Sequence, residues 1–530
     1  MSSIYGFYGG SHSSTVSLIV DGRVVCCIEE ERTSRVKSGD NHESLPTTCS
    51  KKIQEYTGLK IKDADYRVWA LPCPDKEARE ISGLNYEKVS HHTAHNYGAY
   101  FTSGFQEKVL SVSFDGGGET SYMKVFLCED GKMLEVLNLP VALNGSLSHL
   151  WGFSTTSMNG YHDNYMSKWK ICKDEGKLMG MAPEGQYSER IYRILNSLIN
   201  YKDFRFFPTD TGTKAKFIGM SMFENGEFDT LKQKEVFSFN LQKLTEDLML
   251  RFFEDLHIKF PEYKKLVLSG GLFANVKLNQ KINELDWVDE IYVFPSMGDE
   301  GLSLGSAIYK AVQLGEITKP FKMPDFYLGT SYSEKDVDEI LKTYNFEREY
   351  YDPDVIAQDI DDGKIIGVFQ GRMEFGPRAL GNRSILTRPT EKETHSLLNS
   401  RLGRYDTMPF APMVLSDNFS EVFTNSKSKY SSEFMTICFT TNEEWIDKIP
   451  AVIQKSDKTA RPQVVTENNN PMIYHLMKRY YELSLIPVIL NTSFNIHNEP
   501  IIENPQQAFE HLKNKVVDKL IFEKYVYKNR

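Results

Sequence analysis

The stretch VLSVSFDGGGETSYMKVFLCEDGKMLEVL, residues 109–137, reads as a strand (109–114), a turn at Asp115-Gly116-Gly117-Gly118, and two strands (122–127 and 133–137) joined at Asp130-Gly131. An Asp-Gly pair between two apolar runs is a strong hairpin signal. Earlier in the chain the same order occurs with different side chains. A strand at 4–8 is followed by the turn Gly9-Gly10-Ser11-His12-Ser13-Ser14, a strand at 16–20, Asp21-Gly22, and a strand at 23–28. Matching turn chemistry on dissimilar side chains predicts a duplicated supersecondary unit.

Two strand–turn–hairpin units, each with a turn of small residues, form the arrangement of the actin, sugar-kinase and Hsp70 class of ATP binders, in which main-chain N–H groups of the turns hold phosphates. The expected class is therefore α/β. The second half of such a cleft is rebuilt further on, by a strand at 265–268, a bend at Ser269-Gly270-Gly271, a helix carrying Asn275 in its first turn, a strand at 291–294 and the loop 298–301. A glycine bend before a helix N-terminus lets the backbone approach a nucleotide closely. Gly116, Gly117, Gly270, Gly271 and Asn275 are the expected nucleotide contacts.

Between the two units lies VSHHTAHNYGAYF. His91 and His95 are four residues apart and share one helical face, whereas His92 points about 100° away. Such pairs are often surface or capping residues. Asp115 in the second glycine turn and Asp299 in SMGDEG complete a mixed nitrogen and oxygen donor set suited to Fe(II), Mn(II) or Zn(II).

At 371–386 the chain reads GRMEFGPRALGNRSIL, with Arg372, Arg378 and Arg383 among three glycines and a proline, directly after the apolar run 365–369. A strand ending in a glycine-punctuated turn can aim N–H groups and guanidinium forks at one point, which suits a phosphate or carboxylate. Structural ion pairs are the alternative fate of such arginines.

The stretch resembles the signature of the ATP-dependent O-carbamoyltransferases, the family of the nodulation-factor and tobramycin carbamoyltransferases. Further blocks follow in order: Arg461-Pro462-Gln463 in DKTARPQVV, and Asn491-Thr492-Ser493-Phe494-Asn495 with Glu499-Pro500 in PVILNTSFNIHNEPII. DEGKLMGMAP (174–183) and NSRLGRYDTMPFAPMVL (399–415) also match, so the resemblance runs over nearly the whole chain.

The resemblance implies an actin-like domain over 1–325, similar to the threonylcarbamoyl-transfer proteins and carrying a metal and nucleotide site, and a YrdC-like α/β domain over 350–530. The change of pattern at 319–349 marks the boundary. It also implies that the second domain makes carbamoyl adenylate from carbamoyl phosphate and Mg(II)-bound ATP, using Arg372, Arg378, Arg383, Arg404, Arg461, Asn491, Thr492 and Ser493. The group then passes to a hydroxyl in the first domain, beside a metal, Fe(II) foremost, held by His91, His95, Asp115 and Asp299. His12 is the implied acid or base, with Arg378 and Arg383 acting on the donor, and Lys177 is an implied nucleotide contact.

Departures from the family pattern occur at Ser13, where an aspartate is common, at Leu402 in place of a lysine, and at the shifted run 454–458. Glu29-Glu30-Glu31-Arg32 matches an acidic family block whose acidic part is expected as a solvated face, with Arg35 and Lys37 placed to reach a phosphate. The segment 140–170, with His149, Trp151, Tyr161, His162 and Trp169, is a candidate wall for the acceptor or an ordinary packed excursion.

Composition bounds these readings. The 530 residues exceed one core, and 40% hydrophobic with 25% charged residues is ordinary for a globular chain. No apolar run reaches the roughly 18 residues of a membrane span, and the start lacks a basic, then apolar leader, so a cytoplasmic, membrane-free protein is expected. Seven scattered cysteines form no C-x-x-C pair, which points to buried thiols.

A net charge of −10 disfavours polymeric nucleic acid as partner. The expected partner is a small hydroxyl-bearing molecule: a sugar, a natural product or a hydroxymethyl nucleoside or nucleotide. A homodimer is compatible with the sequence. An actin-like ATPase or sugar kinase, and a non-catalytic nucleotide-binding regulator, are the other readings.

Overall fold

The first three strands, β1 (Ser3–Tyr8), β2 (Thr15–Val20) and β3 (Arg23–Glu29), run antiparallel as a meander. Then β4 (Tyr66–Ala70) and β5 (Glu87–Val89) add in parallel on the free side of β1, giving the order β3-β2-β1-β4-β5. This computed structural model describes residues 2–9, 13–37, 45–83, 85–140, 146–158, 175–207, 229–404, 409–425 and 427–530.

The second copy starts with the meander β6 (Val109–Phe114), β7 (Ser121–Glu129) and β8 (Lys132–Pro140). A small hairpin, β9 (Asn200–Lys202) and β10 (Arg205–Phe207), follows. Next come β11 (Lys265–Ser269) and β12 (Glu290–Val293), which join β6 in parallel. The resulting order, β12-β11-β6-β7-β8, read from its other end repeats the first sheet strand for strand. Local turn chemistry explains why both meanders fold alike. Asp21 and Gly22 (φ 48° and 72°) and Asp130 and Gly131 (φ 49° and 81°) all take the left-handed conformation that a tight hairpin turn needs.

Two helices, His91–Ser103 and Leu302–Gln313, pack against each other between the sheets. Glycines set that spacing. A Cβ at Gly305 would strike the Ala94 carbonyl oxygen, and one at Gly98 would lie 3.1 Å from Gly305 Cα. The duplicated, actin-like α/β architecture expected for the first half is thus present in its strand order.

The second half begins with β13 (Phe346–Tyr350), β14 (Ile366–Phe369), β15 (Arg383–Thr387) and β16 (Ala411–Leu415). A short pair, β17 (Phe439–Thr440) and β18 (Thr459–Ala460), stands apart. β19 (Gln463–Val465), β20 (Val488–Ser493), β21 (Lys519–Phe522) and β22 (Tyr525–Asn529) complete an eight-stranded mixed sheet, ordered β13-β22-β21-β14-β15-β20-β16-β19. Helices Pro353–Asp361, Pro471–Ser484 and Pro505–Lys513 cover it. Each opens with proline after a side-chain cap, from Asp352, Asn470 and Asn504 respectively, which is the favoured helix start. All described cysteines are free; Cys73 is half-buried and the others are buried.

The acidic block corrects its sequence reading. Glu29, Glu30 and Arg32 are buried, not solvated. Glu29 Oε1 accepts the Gly376 N–H at 2.7 Å, and Arg32 donates to the Gly376 carbonyl at 3.0 Å while pairing with Glu29 at 3.1 Å. Glu30 accepts the N–H groups of Thr48 and Cys49. Arg35 is also engaged, donating to the Ile501 and Pro500 carbonyls at 2.8 and 2.9 Å and pairing with Glu499 at 2.8 Å. The first half therefore grips the second through buried charge.

Burial raises the Glu29 carboxyl to about 7 despite Arg32 beside it. Arg32→Ala would leave that carboxyl buried without its partner, and we expect a loss of about 3–5 kcal/mol in denaturant unfolding. A change within about 0.5 kcal/mol would show the clasp to be ornamental.

Burial works against the Glu499 charge, but His511 at 2.9 Å, the Ile496 N–H and Arg35 outweigh it and lower the carboxyl from 4.5 to about 2. A depressed carboxyl contributes stability above its unfolded value and loses it as pH falls through the folded one. Denaturation between about pH 4.5 and pH 2 should therefore be shallower in Glu499→Gln than in the parent chain. Parallel curves would remove Glu499 as the cause.

Candidate metal centre and donor pocket

The helix His91–Ser103 starts after Ser90 and turns His91 and His95 toward one point. Asp115 meets them from the end of β6, and Asp299 from the loop before helix Leu302–Gln313. One ligand atom from each of the four residues lies within 4.8 Å of all the others. His91 Nε2 stands 3.4 Å from Asp299 Oδ1, and His95 Nε2 stands 3.4 Å from Asp115 Oδ2 and 3.7 Å from Asp299 Oδ1.

Outer contacts orient these groups. His91 Nδ1 is bonded to the Leu71 carbonyl at 3.0 Å, which leaves Nε2 facing the cluster. The Tyr8 hydroxyl donates to Asp299 Oδ2 at 2.6 Å. The Gly116 and Gly271 N–H groups donate to the two Asp115 oxygens at 2.5 and 2.9 Å. His91 Nε2 and His95 Nε2 are buried without a hydrogen-bond partner. Two orphaned imidazole nitrogens facing two carboxylates fit a divalent ion of the Fe, Mn or Zn type.

His92, set aside in the sequence, is satisfied elsewhere by Ser113 and the Ser121 carbonyl. The charges are mutually dependent. Burial pushes His91 down, but Asp299 and Asp115 outweigh it and raise the imidazole to about 9. Burial and Asp299 push Asp115 up, and His95 and His91 overcome them to hold it below the usual carboxylate range.

Of the expected nucleotide contacts, Gly116, Gly270 and Gly271 gather around Asp115, and Gly117 follows in the same turn. Gly270, at φ 95°, abuts the Phe114 carbonyl, where a Cβ would collide. Asn275 is put to another use, capping its own helix through the Leu278 N–H and pairing with Gln242. Lys177 sits on the helix Glu175–Met181, which packs on the long helix Leu231–Lys259. His12 lies outside the described residues, as do Tyr161, His162 and Trp169 of the candidate acceptor wall. Within that wall Trp151 is packed and bonded to Thr245 at 2.9 Å. The His149 ring approaches within 3.5 Å of where a Gly116 Cβ would be.

In the second half the three arginines of the quoted loop part company. Arg372 donates to the carbonyls of Gly329, Val25 and Leu328 at 2.9, 2.7 and 2.5 Å, tying the loop to the first half. Arg383 is fully buried, donates to the carbonyls of Gln370 and Asn382, and stacks 3.6 Å over the Phe369 ring. Arg378 is different. Its Nε and that of Arg461 are buried with no hydrogen-bond partner, as is the Nε of Arg383, but among the described residues no carbonyl takes up the rest of the Arg378 or the Arg461 guanidinium as Gln370 and Asn382 do for Arg383. Burial and then the Arg461 charge push Arg378 down to about 9, and burial also lowers Arg461.

Arg404 reaches Thr492 Oγ1 at 3.2 Å and Ser493 Oγ at 3.4 Å. Asn491 donates to the Ala379 carbonyl and Gln463, leaving its buried Oδ1 without a partner. Tyr8, hidden in an apolar strand, and Glu374, inside the arginine loop, are site residues that sequence reasoning passed over. The glutamate was on view in the quoted motif, whereas nothing marked the tyrosine.

Titration with Zn(II) or Mn(II) should show binding at this cluster. Tyr8→Phe, which removes an outer partner, should weaken it about 10–100-fold, and His95→Ala by more. Equal affinity in all three chains would place the ion elsewhere.

Residues 46–308 match the model of the carbamoyltransferase N-terminus and residues 357–529 that of the carbamoyltransferase C-terminus. An uncharacterised protein of Methanocaldococcus jannaschii is 32% identical, over 86% of this chain and 76% of its own length. Nodulation protein NolNO of Sinorhizobium fredii is 26% identical, over 98% and 79%. Among solved structures, full-length HypF in its phosphate- and nucleotide-bound form is 14% identical with a TM-score of 0.37, over 59% of this chain and 56% of HypF. Among the described residues no helix is long and apolar enough to cross a membrane. With both of its halves matched, the chain belongs to the carbamoyltransferase family and is an enzyme of that class.

Proposed function

We propose that this enzyme makes carbamate esters. Residues 350–530 would activate the carbamoyl group of carbamoyl phosphate as carbamoyl adenylate at the expense of Mg(II)-bound ATP, and residues 1–325 would hand it to the hydroxyl of a small molecule. The observation that carries this reading is the pair Arg378 and Arg461, two half-buried side chains whose Nε atoms are buried without a hydrogen-bond partner and which, among the described residues, pair with no carboxylate. Such a pair is poised for a multiply charged anion.

Carbamoyl phosphate is a poor acyl donor toward a neutral alcohol, which is why activation is needed. Overall, carbamoyl phosphate, ATP, water and the alcohol would give the carbamate ester, phosphate, pyrophosphate and AMP. In the donor pocket Arg378 and Arg461 neutralise phosphate charge, and Arg404 steadies Thr492 and Ser493. The free Asn491 Oδ1 can accept an N–H of the carbamoyl amide.

In the first half, His91, His95, Asp115 and Asp299 would hold a divalent ion, Fe(II) foremost. Bound there, it would supply Lewis acidity toward a carbonyl or hydroxyl oxygen. Tyr8 fixes the Asp299 carboxylate by its hydrogen bond. His12, between β1 and β2 in the sequence, is the group we assign to take the hydroxyl proton.

Supplied with ATP, carbamoyl phosphate and a pool of alcohols, the protein should release AMP and pyrophosphate and add one carbamoyl mass to an acceptor. Arg461→Ala should cut kcat/KM for carbamoyl phosphate by about 100-fold or more. Release of ADP without pyrophosphate would overturn the reading in favour of a kinase-type ATPase.

A further inference from the structure

The loop that presents Arg378 is folded around a carboxylate of its own. Glu374 is 3% exposed, and its Oε1 accepts three main-chain N–H groups: Leu380 at 2.8 Å, Asn382 at 2.8 Å and Arg383 at 3.0 Å. Its other oxygen, Oε2, is buried with no hydrogen-bond partner. Gly381, at φ 109°, turns its own N–H aside to Ser384 Oγ at 3.0 Å. Several amides converging on one oxygen are a main-chain anion nest. The sequence predicts a cradle for an incoming phosphate; the nest is present, and Glu374 fills it.

We propose that Glu374 is the positioning residue of the donor pocket: by occupying the nest with its own carboxylate it fixes the loop and leaves the incoming phosphate to the Arg378 and Arg461 guanidiniums. The inference rests on the donor-pocket reading above. The surrounding bonds support it. On the carbonyl side the same segment is pinned by Asn491, which donates to Ala379, and by Gln463 and Tyr327, which both donate to Leu380 at 2.7 Å. Upstream, Gly376 is held through its N–H by Glu29 and through its carbonyl by Arg32. Arg378 thus stands between two anchored points, with Pro377 beside it, and Glu374 supplies the anchor on the downstream N–H side. Without that carboxylate three amides lose their acceptor together, and the backbone that aims Arg378 is released.

Kinetics of pyrophosphate release at varied carbamoyl phosphate test this with Glu374→Ala, Glu374→Gln and the parent chain. We expect KM to rise about tenfold or more in Glu374→Ala and by less in Glu374→Gln, with kcat changed little. Added formate, a carboxylate small enough for the vacated nest, should restore KM in Glu374→Ala and leave the parent chain unaffected. A defect that is merely one of folding would not respond to formate. Unchanged KM in both variants, or a raised KM in Glu374→Ala that formate does not lower, overturns the proposal. If Glu374→Ala does not fold, Glu374→Gln decides on KM alone. If the parent chain releases no pyrophosphate, it is the donor-pocket reading that fails. Calorimetry with inorganic phosphate then decides the role of Glu374, which equal affinity in Glu374→Gln and the parent chain would refute.

Discussion

One residue, Gly376, is held by both of its main-chain polar groups. Its N–H goes to Glu29 and its carbonyl receives Arg32, and both of those side chains come from the first half of the chain. The grip requires glycine. At φ 115° a side chain is strained, and a Cβ would lie 2.9 Å from the Pro295 carbonyl oxygen. Pro295 opens the loop that carries Asp299, so the wall of the metal cluster and the arginine loop lie back to back. Burying opposite charges is costly unless their hydrogen bonds are well made. Here Arg32, Glu29 and the Gly376 main chain bond one another, with Arg32 Nε left without a partner, and these bonds tie the arginine loop to the first half.

The metal cluster depends on a second close approach. Asp299 lies just ahead of helix Leu302–Gln313, and the histidines occupy the first turns of helix His91–Ser103. Gly98 and Gly305 let these helices approach until Gly305 abuts the Ala94 carbonyl, one residue before His95. β1 joins them, since a Cβ at Gly6 would strike the Ser303 carbonyl oxygen, and the same strand delivers the Tyr8 hydroxyl to Asp299. Three backbones at glycine distance fix where four ligand atoms can meet. Packing, more than the ligands' mutual attraction, assembles the cluster.

Much of this was legible in the sequence because it is set locally. The Asp-Gly turns declare their left-handed backbone, so both meanders and their duplication can be read. The helical spacing separates His92 from His91 and His95. What could not be read is set at long range. Glu29 and Arg32 look like part of a solvated run because their shared partner, Gly376, is 347 and 344 residues away. Asn275 looks like a ligand contact because a helix-capping side chain and a nucleotide-facing one occupy the same position in a glycine bend. The arginine loop showed its glycines and guanidiniums plainly, yet composition does not say whether a nest is vacant. Glu374 stood inside the motif, and only the three converging N–H groups reveal it as the occupant.

Arg378 and Arg383 show why burial of charge alone does not mark a binding site. Both guanidiniums are pushed down by burial, to about 9 and about 10. Arg383 recovers its lost hydration from main-chain carbonyls and the face of Phe369, so its charge is spent within the fold. Arg378 has neither, and the largest charge acting on it is that of another cation, Arg461, ahead of the opposing Glu300. Two like charges held together without a counter-ion raise the free energy of the folded chain, and an anion placed between them lowers it again. The fold carries that cost because Glu374, Glu29 and Arg32 hold the loop in place whether or not an anion is bound. The affinity for a phosphate then comes partly from relief of a repulsion that already exists, a relief that a neutral molecule does not give and a cation would reverse.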